Sequence, residues 1–221
     1  MGRFKSVVGL VLAFGGFEIT SRLTDALGLP KDGLWAHLWK WVPAVSLLGF
    51  VRYVEKRDLD SIGWTHSSLR RFTTRVIAGT FALLGTSVIA EPLWNLVGEG
   101  NDELHEGLGS FSEWSIPERL FIALTAGVTE EIMYRGYAVE RLSELINNSI
   151  LAGAVSGSLF TIIHTQGDMW SRSAALRMTQ PTAILTVLYL RVRGLPAVIS
   201  AHVLNDAVGL VLADRYAGDD E

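Results

Sequence analysis

The chain has 221 residues, of which 49% are hydrophobic and 19% are charged. This length suits one domain or a modest helical bundle, and the apolar composition is typical of a membrane protein. The net charge of −4 argues against nucleic acid as a partner, because no basic excess would balance the phosphates. Since the chain has no cysteine, disulfides, thiol nucleophiles and thiolate metal sites are excluded.

Apolar segments follow one another along the whole chain. They lie roughly at residues 6–23, 34–51, 76–97, 117–134, 149–164, 181–190 and 195–213. Several are shorter than the ~20 residues that a straight membrane-spanning helix needs. Because no internal repeat and no flexible linker divides the chain, we predict one all-α, multi-pass transmembrane bundle over residues 1–221, with about seven spans.

The charges of the connections predict how the bundle lies in the membrane. The connection after the second segment carries Arg52, Lys56, Arg57, Arg70, Arg71 and Arg75, and the connection after the third carries Glu99, Asp102, Glu103, Glu106, Glu113 and Glu118. Lys and Arg gather on the cytoplasmic side. We therefore expect a protein of the cell membrane with a cytoplasmic N-terminus, and only Arg172 and Arg177 disagree with the alternation.

Three ionisable residues interrupt the fourth apolar segment. In a helix, Glu131 and Arg135 stand one turn apart and can form an ion pair. Glu130 is rotated by ~100° from Glu131 and has no cation on its own helix. Charge inside an apolar segment is costly unless it is paired or used, so Glu130 is a candidate general base. The alternative is that both glutamates only pair with arginines of neighbouring helices.

The fifth segment places Phe160 and His164 one helical turn apart. If the fourth helix continues to a turn at Asn147 and Asn148, the fifth runs back alongside it. Both arms rise ~1.5 Å per residue, and His164 then returns to about the depth of Glu130. The sequence therefore predicts that these two side chains meet.

The seventh segment carries His202, Asn205 and Asp206 on one helical face. Exposing these polar side chains to lipid would be energetically unfavourable. These side chains either complete a site with Glu130 and His164 or only hydrogen-bond between helices. A zinc set of Glu130, His164 and His202 with an open water position is a further alternative. No HExxH helix accompanies that set.

In order and spacing, these residues resemble the three motifs of the CPBP family, also called the Abi family. The motifs are Glu130-Glu131-x3-Arg135, Phe160-x3-His164 and His202-x3-Asp206. The family comprises CAAX prenyl proteases and bacteriocin-processing or self-immunity proteins, together termed glutamic intramembrane endopeptidases. The resemblance covers roughly residues 119–213, and we expect the catalytic core at about 117–213 and further spans at about 6–97.

The resemblance implies metal-independent hydrolysis of a peptide bond in a membrane-associated protein or peptide, of the CAAX type or another C-terminal or leader-processing type. By position, Glu130 resembles the general base that activates water with the help of His164. Glu131 and Arg135 would brace the site, with Phe160 in a supporting place. The active site would then lie within the last four helices.

His202 and Asp206 occupy the family's positions for holding the developing oxyanion. The commoner form of the family has Asn at the second position, and an ionised aspartate cannot donate a hydrogen bond. Three arrangements follow: Asp206 is protonated, Asp206 orients His202, or Asn205 supplies the donor.

Two other functions compete with this reading. One is a non-catalytic immunity, transport or scaffold protein, whose buried polar residues bind a partner or carry protons. The other is a zinc-dependent membrane hydrolase.

Overall fold

The computed structural model describes residues 2–97, 107–165, 172–215 and 217, and within them it contains helices and no strand. The all-α prediction is therefore confirmed. The α-helices are α1 (Gly2–Ala26), α2 (Leu34–Leu38), α3 (Trp41–Gly49), α4 (Leu69–Val97), α5 (Ile116–Glu130), α6 (Val139–Ile146), α7 (Ser149–His164), α8 (Arg172–Val192) and α9 (Leu195–Val211). A π-helical segment, Glu131–Ala138, joins α5 to α6 without a break.

All seven predicted apolar segments contain helix, and the second is divided by a turn at Trp39 and Lys40. In the described residues, four helical stretches are long and apolar enough to cross a membrane: Gly2–Ala26, Leu34–Val54, Leu69–Trp94 and Leu195–Arg215. The other predicted segments lie in α5, α7 and α8. The α7 helix is apolar but has only 16 residues, about 24 Å at the usual helical rise. Four such helices make this a membrane protein, whereas the count of about seven spans stays a prediction.

The α5 helix has a clear start, and the α6 helix has a clear end. At the start, the backbone N–H of Ser115 donates to the Glu118 carboxylate at 2.8 Å, as in a capping box. At the end, Asn147 adopts a left-handed conformation with φ 54°. The side chain of Asn148 then accepts from the backbone N–H of Leu151 at 3.0 Å. The predicted turn is thus confirmed, and α7 runs back beside α6 and the π-helical segment.

The connections rich in Lys and Arg meet at one end of the bundle, here called the basic end. Contacts there are Lys5 to the Val54 carbonyl at 2.5 Å, Arg57 to Glu144 at 2.7 Å, and the Leu195 N–H to the Gly63 carbonyl at 2.7 Å. This gathering agrees with the alternation that the sequence predicts. The predicted acidic residues at 99–106 and the acidic tail at 219–221 lie outside the described residues.

The first helix packs tightly on the π-helical segment. A methyl group added at Gly9 would lie 1.8 Å from the hydroxyl oxygen of Tyr137, and one added at Gly16 would lie 2.6 Å from Pro43. The ring of Phe14 also lies 5.9 Å from that of Tyr134. Small residues on one face of a membrane helix permit this close approach. The N-terminal part of the chain therefore supports the segment that carries the candidate site.

Candidate active site

Two adjacent glutamates lie where α5 passes into the π-helical segment. Glu130 is 5% exposed and Glu131 is fully buried. Because consecutive helical positions point in directions ~100° apart, the two carboxylates face different helices. Glu130 faces α7, and Glu131 faces α9. Short π-helical stretches occur frequently at functional sites.

The Glu131 carboxylate is held by two short contacts. Its Oε1 accepts from Arg135 Nη1 at 2.7 Å and lies 2.8 Å from His202 Nδ1. Arg135 is also almost completely buried, and its Nη2 lies 3.4 Å from the Thr182 carbonyl oxygen. The ion pair between Glu131 and Arg135 is therefore present as predicted. It lies within one helical segment and not between neighbouring helices.

His202 is held between two carboxylates. Its Nδ1 faces Glu131, and its Nε2 lies 3.3 Å from Asp206 Oδ2. The side-chain amide of Asn205 donates to Asp206 Oδ1 at 3.2 Å. Of the three arrangements considered for Asp206, the contacts match the one in which Asp206 orients the His202 ring. We expected both histidines to join Glu130, but His202 hydrogen-bonds to the neighbouring Glu131.

The Glu130 carboxylate is held more loosely. Its Oε1 lies 3.6 Å from His164 Nε2, and His164 Nδ1 lies 2.8 Å from the Phe160 carbonyl oxygen. Because a carbonyl can only accept, Nδ1 carries the hydrogen, and Nε2 is directed at the carboxylate. Glu130 and His164 thus meet at one depth, as the hairpin predicts.

The ring of Phe160 contacts both His164, the partner of Glu130, and Arg135, the partner of Glu131. It stacks on His164 with ring centres 4.1 Å apart and meets Tyr134 edge-on at 4.9 Å. The Arg135 guanidinium carbon lies 4.6 Å from the centre of the same ring. Phe160 therefore fixes the orientation of His164 while shielding Arg135.

A cavity of about 640 Å³ is lined by chain neighbours of the Glu130 and His164 pair, although neither of these two residues lines it. Tyr134, one turn after Glu130, and Ile163, just before His164, line it. The opposite wall comes from α1 and from residues 31–40, including Lys40. Sequence reasoning missed this contribution, because residues before 119 carry no family motif. The signal was present in Gly9 and Gly16, which stand seven positions apart on one face of α1.

Within the described part of the chain, no group of three His, Asp or Glu side chains is arranged to hold a metal ion. Both ring nitrogens of His202 face carboxylates, so neither offers a lone pair to an ion shared with Glu130 and His164. The zinc set considered from the sequence thus does not match this arrangement of side chains.

A known protein family matches the part of the chain that contains these residues. Residues 112–208 match the family model described as Type II CAAX prenyl endopeptidase Rce1-like. The chain carries an Rce1-like segment. The predicted resemblance to the CPBP family is therefore confirmed.

The Rce1-like segment is a little under half of the chain, and it contains every candidate site residue from Glu130 to Asp206. It begins after α4, so the helices that form the far wall of the cavity lie outside it. The searches of curated proteins and of solved structures returned no significant match.

Proposed function

We propose that the protein is a metal-independent glutamic endopeptidase that hydrolyses a peptide bond in a membrane-associated protein or peptide. The Rce1-like match indicates a CAAX-type membrane peptidase. Cleavage of the CAAX type, or of another C-terminal or leader segment, follows from that match. The observation that carries the glutamic mechanism is the pair of Glu130 and His164, which are 3.6 Å apart.

The geometry of this pair suits activation of water. Glu130 Oε1 and His164 Nε2 are two acceptors facing each other, because His164 Nδ1–H is engaged by the Phe160 carbonyl. A water molecule between them donates one hydrogen to each. As its oxygen attacks the scissile carbonyl carbon, Glu130 takes the proton and then delivers it to the leaving nitrogen. The C–N bond breaks, and the products are a carboxylic acid and an amine, which become a carboxylate and an ammonium by proton exchange.

The tetrahedral intermediate carries a negative oxygen that needs hydrogen-bond donors. In our proposal these donors are His202 Nε2–H, which the oxyanion shares with Asp206 Oδ2, and the second amide hydrogen of Asn205, whose first hydrogen goes to Asp206. Asp206 orients the His202 ring from one side, and Glu131 does so from the other. Arg135 neutralises Glu131, and Glu131 in turn fixes His202. The donors are therefore held rigidly towards the reacting carbonyl.

Reconstituted protein provides the test. Purified full-length chain in proteoliposomes is mixed with lipid-anchored peptides that have free C-termini, and the products are identified by mass spectrometry. We expect cleavage at one bond by the natural chain and none by the double variant Glu130→Gln/His164→Ala, which controls for contaminating proteases. Absence of turnover across the peptide set, together with altered binding or ion flux in the variant, would favour the non-catalytic function instead.

Metal dependence is measured on the same preparation. We expect substoichiometric zinc by elemental analysis and unchanged cleavage after treatment with a chelator. Stoichiometric zinc with chelator-sensitive cleavage would support the zinc hydrolase.

We also propose that the basic end faces the cytoplasm of the cell membrane, since Lys and Arg gather on that side. Single cysteines introduced at Lys56 and at Ser110, which lie at opposite ends of the bundle, test this orientation. In intact cells, an impermeant thiol reagent should label only the variant at Ser110.

A further inference from the structure

An apolar groove of about 370 Å³ runs along the outside of the bundle between α4 and α8. Its apolar walls combine small residues with larger side chains: Ala78, Gly79 and Ala82 on α4, and Ala183, Ile184, Val187 and Leu188 on α8. At Gly79 the two helices approach so closely that an added methyl group would lie 2.7 Å from the Leu188 side chain. Apart from Arg191, every residue that lines the groove is apolar, which suits contact with a hydrocarbon chain.

Arginines from both helices gather where the groove reaches the basic end. Arg191 of α8 lines the groove itself, and Arg70, Arg71 and Arg75 at the start of α4 line a second cavity of about 490 Å³. Residues 71, 75, 78, 79 and 82 share one helical face because they are three or four positions apart. Arg75 also reaches Gly194, which lies just beyond the end of α8. A methyl group added at Gly194 would lie 3.3 Å from Arg75 Nη1.

In the described part of the chain, these arginines have no acidic partner, unlike four other arginines at the basic end. Arg52, Arg57, Arg141 and Arg193 pair with Asp58, Glu144, Glu55 and Glu140. Within the described residues, Arg71, Arg75 and Arg191 form no ion pair, and no carboxylate lines either cavity. A cluster of unpaired positive charges at the end of an apolar groove is complementary to a molecule with an anionic head group and an apolar chain.

We propose that the groove between α4 and α8 binds an anionic glycerophospholipid. One acyl chain lies in the groove over Gly79 and Ala82, and the phosphate lies between Arg75 and Arg191. Arginine guanidinium groups bind phosphate oxygens in a bidentate manner, and basic pockets between membrane helices suit such head groups. This site is on the outside of the bundle, and its occupancy does not depend on the proposed peptidase activity.

Native mass spectrometry of the full chain in detergent tests the proposal. The protein is titrated with dioleoyl phosphatidylglycerol or with dioleoyl phosphatidylcholine, which differs in the charge of its head group. We expect the anionic lipid to stay bound and the zwitterionic lipid to dissociate. The double variant Arg75→Gln/Arg191→Gln should bind phosphatidylglycerol about 30-fold more weakly, at roughly 1 kcal/mol for each arginine near the surface.

Two further variants separate this site from charge and folding effects. Arg52→Gln removes a paired arginine at the same end and should leave lipid binding unchanged. Ala183→Leu fills the groove and should weaken lipid binding while every arginine stays in place. Equal binding of both lipids, unchanged binding in the double variant, or full competition by free glycerol 3-phosphate at the lipid's own concentration would each overturn the proposal.

Discussion

The two adjacent glutamates have opposite surroundings. Glu131 is completely buried, and its Oε1 lies 2.7 Å from Arg135 Nη1 and 2.8 Å from His202 Nδ1. The only ion-pair contact of Glu130 among the described residues is the longer one to His164, at 3.6 Å, and Tyr134, one turn after Glu130, lines the cavity. Adjacent helical positions differ in direction by ~100°. This difference alone gives Glu131 a structural ion pair and leaves Glu130 without a short one.

The largest expected effect is on catalysis at Glu130. Glu130→Gln removes the proton acceptor and keeps the shape of the side chain, so kcat should fall by about 10²–10⁴-fold, the usual contribution of a general base. The thermal unfolding midpoint should stay within a few degrees, because no short ion pair is lost. Cleavage at the natural rate would remove Glu130 from the mechanism.

The next effect is on stability at Glu131. Glu131→Gln leaves Arg135 buried without its carboxylate, which should lower the free energy of unfolding by about 3–5 kcal/mol. The matched control is Glu18→Gln, which breaks the exposed pair with Arg22 at the same spacing of four residues. We expect a loss of at most about 0.5 kcal/mol there. Equal losses in both variants, measured by chemical denaturation, would contradict a structural role that is particular to Glu131.

His164 should have a smaller catalytic effect than Glu130. His164→Ala removes the second acceptor for water but keeps the base, so we expect kcat to fall by about 10²-fold. His66, on the exposed connection before α4, provides the control, and His66→Ala should cleave like the natural chain. A His164→Ala variant with unchanged kcat would mean that Glu130 acts without this imidazole.

Asp206 gives the smallest effect. Asp206→Asn keeps a hydrogen-bond partner for His202 Nε2 and creates the residue of the commoner family form. The cleavage rate should stay within about tenfold of the natural chain, because the contact to His202 is kept and a typical hydrogen bond contributes about 1 kcal/mol. Asp206→Ala, which removes the contact to His202, should be slower than Asp206→Asn. A loss above 10²-fold in Asp206→Asn would show that the charge of Asp206 is itself required.

The sequence predicted the part of the site that follows from helix geometry. The ion pair of Glu131 with Arg135 and the meeting of Glu130 with His164 depend only on helical spacing and on a turn at Asn147. Which carboxylate receives His202 could not be predicted, because that choice depends on the rotation of α9 about its own axis.

The far wall of the cavity was also missed. The family motifs lie after residue 119, whereas the packing of α1 depends on where Gly9 and Gly16 allow it to approach. The number of membrane spans also remains a prediction, because charged residues in some helices obscure the hydropathy signal. The α5 helix carries Glu118, Arg119 and Glu130 in 15 residues, and such charges lower the hydropathy by which spans are recognised.

An oxygen-18 single-turnover experiment tests most directly whether Glu130 activates water. Enzyme in excess cleaves its peptide in H₂¹⁸O, and both the product and the proteolysed enzyme are analysed by mass spectrometry. If Glu130 is a general base, the new product carboxylate gains one solvent oxygen and the peptide containing Glu130 gains none. Label in Glu130 with unlabelled product would instead show that its carboxylate attacks the substrate itself, and would contradict the account.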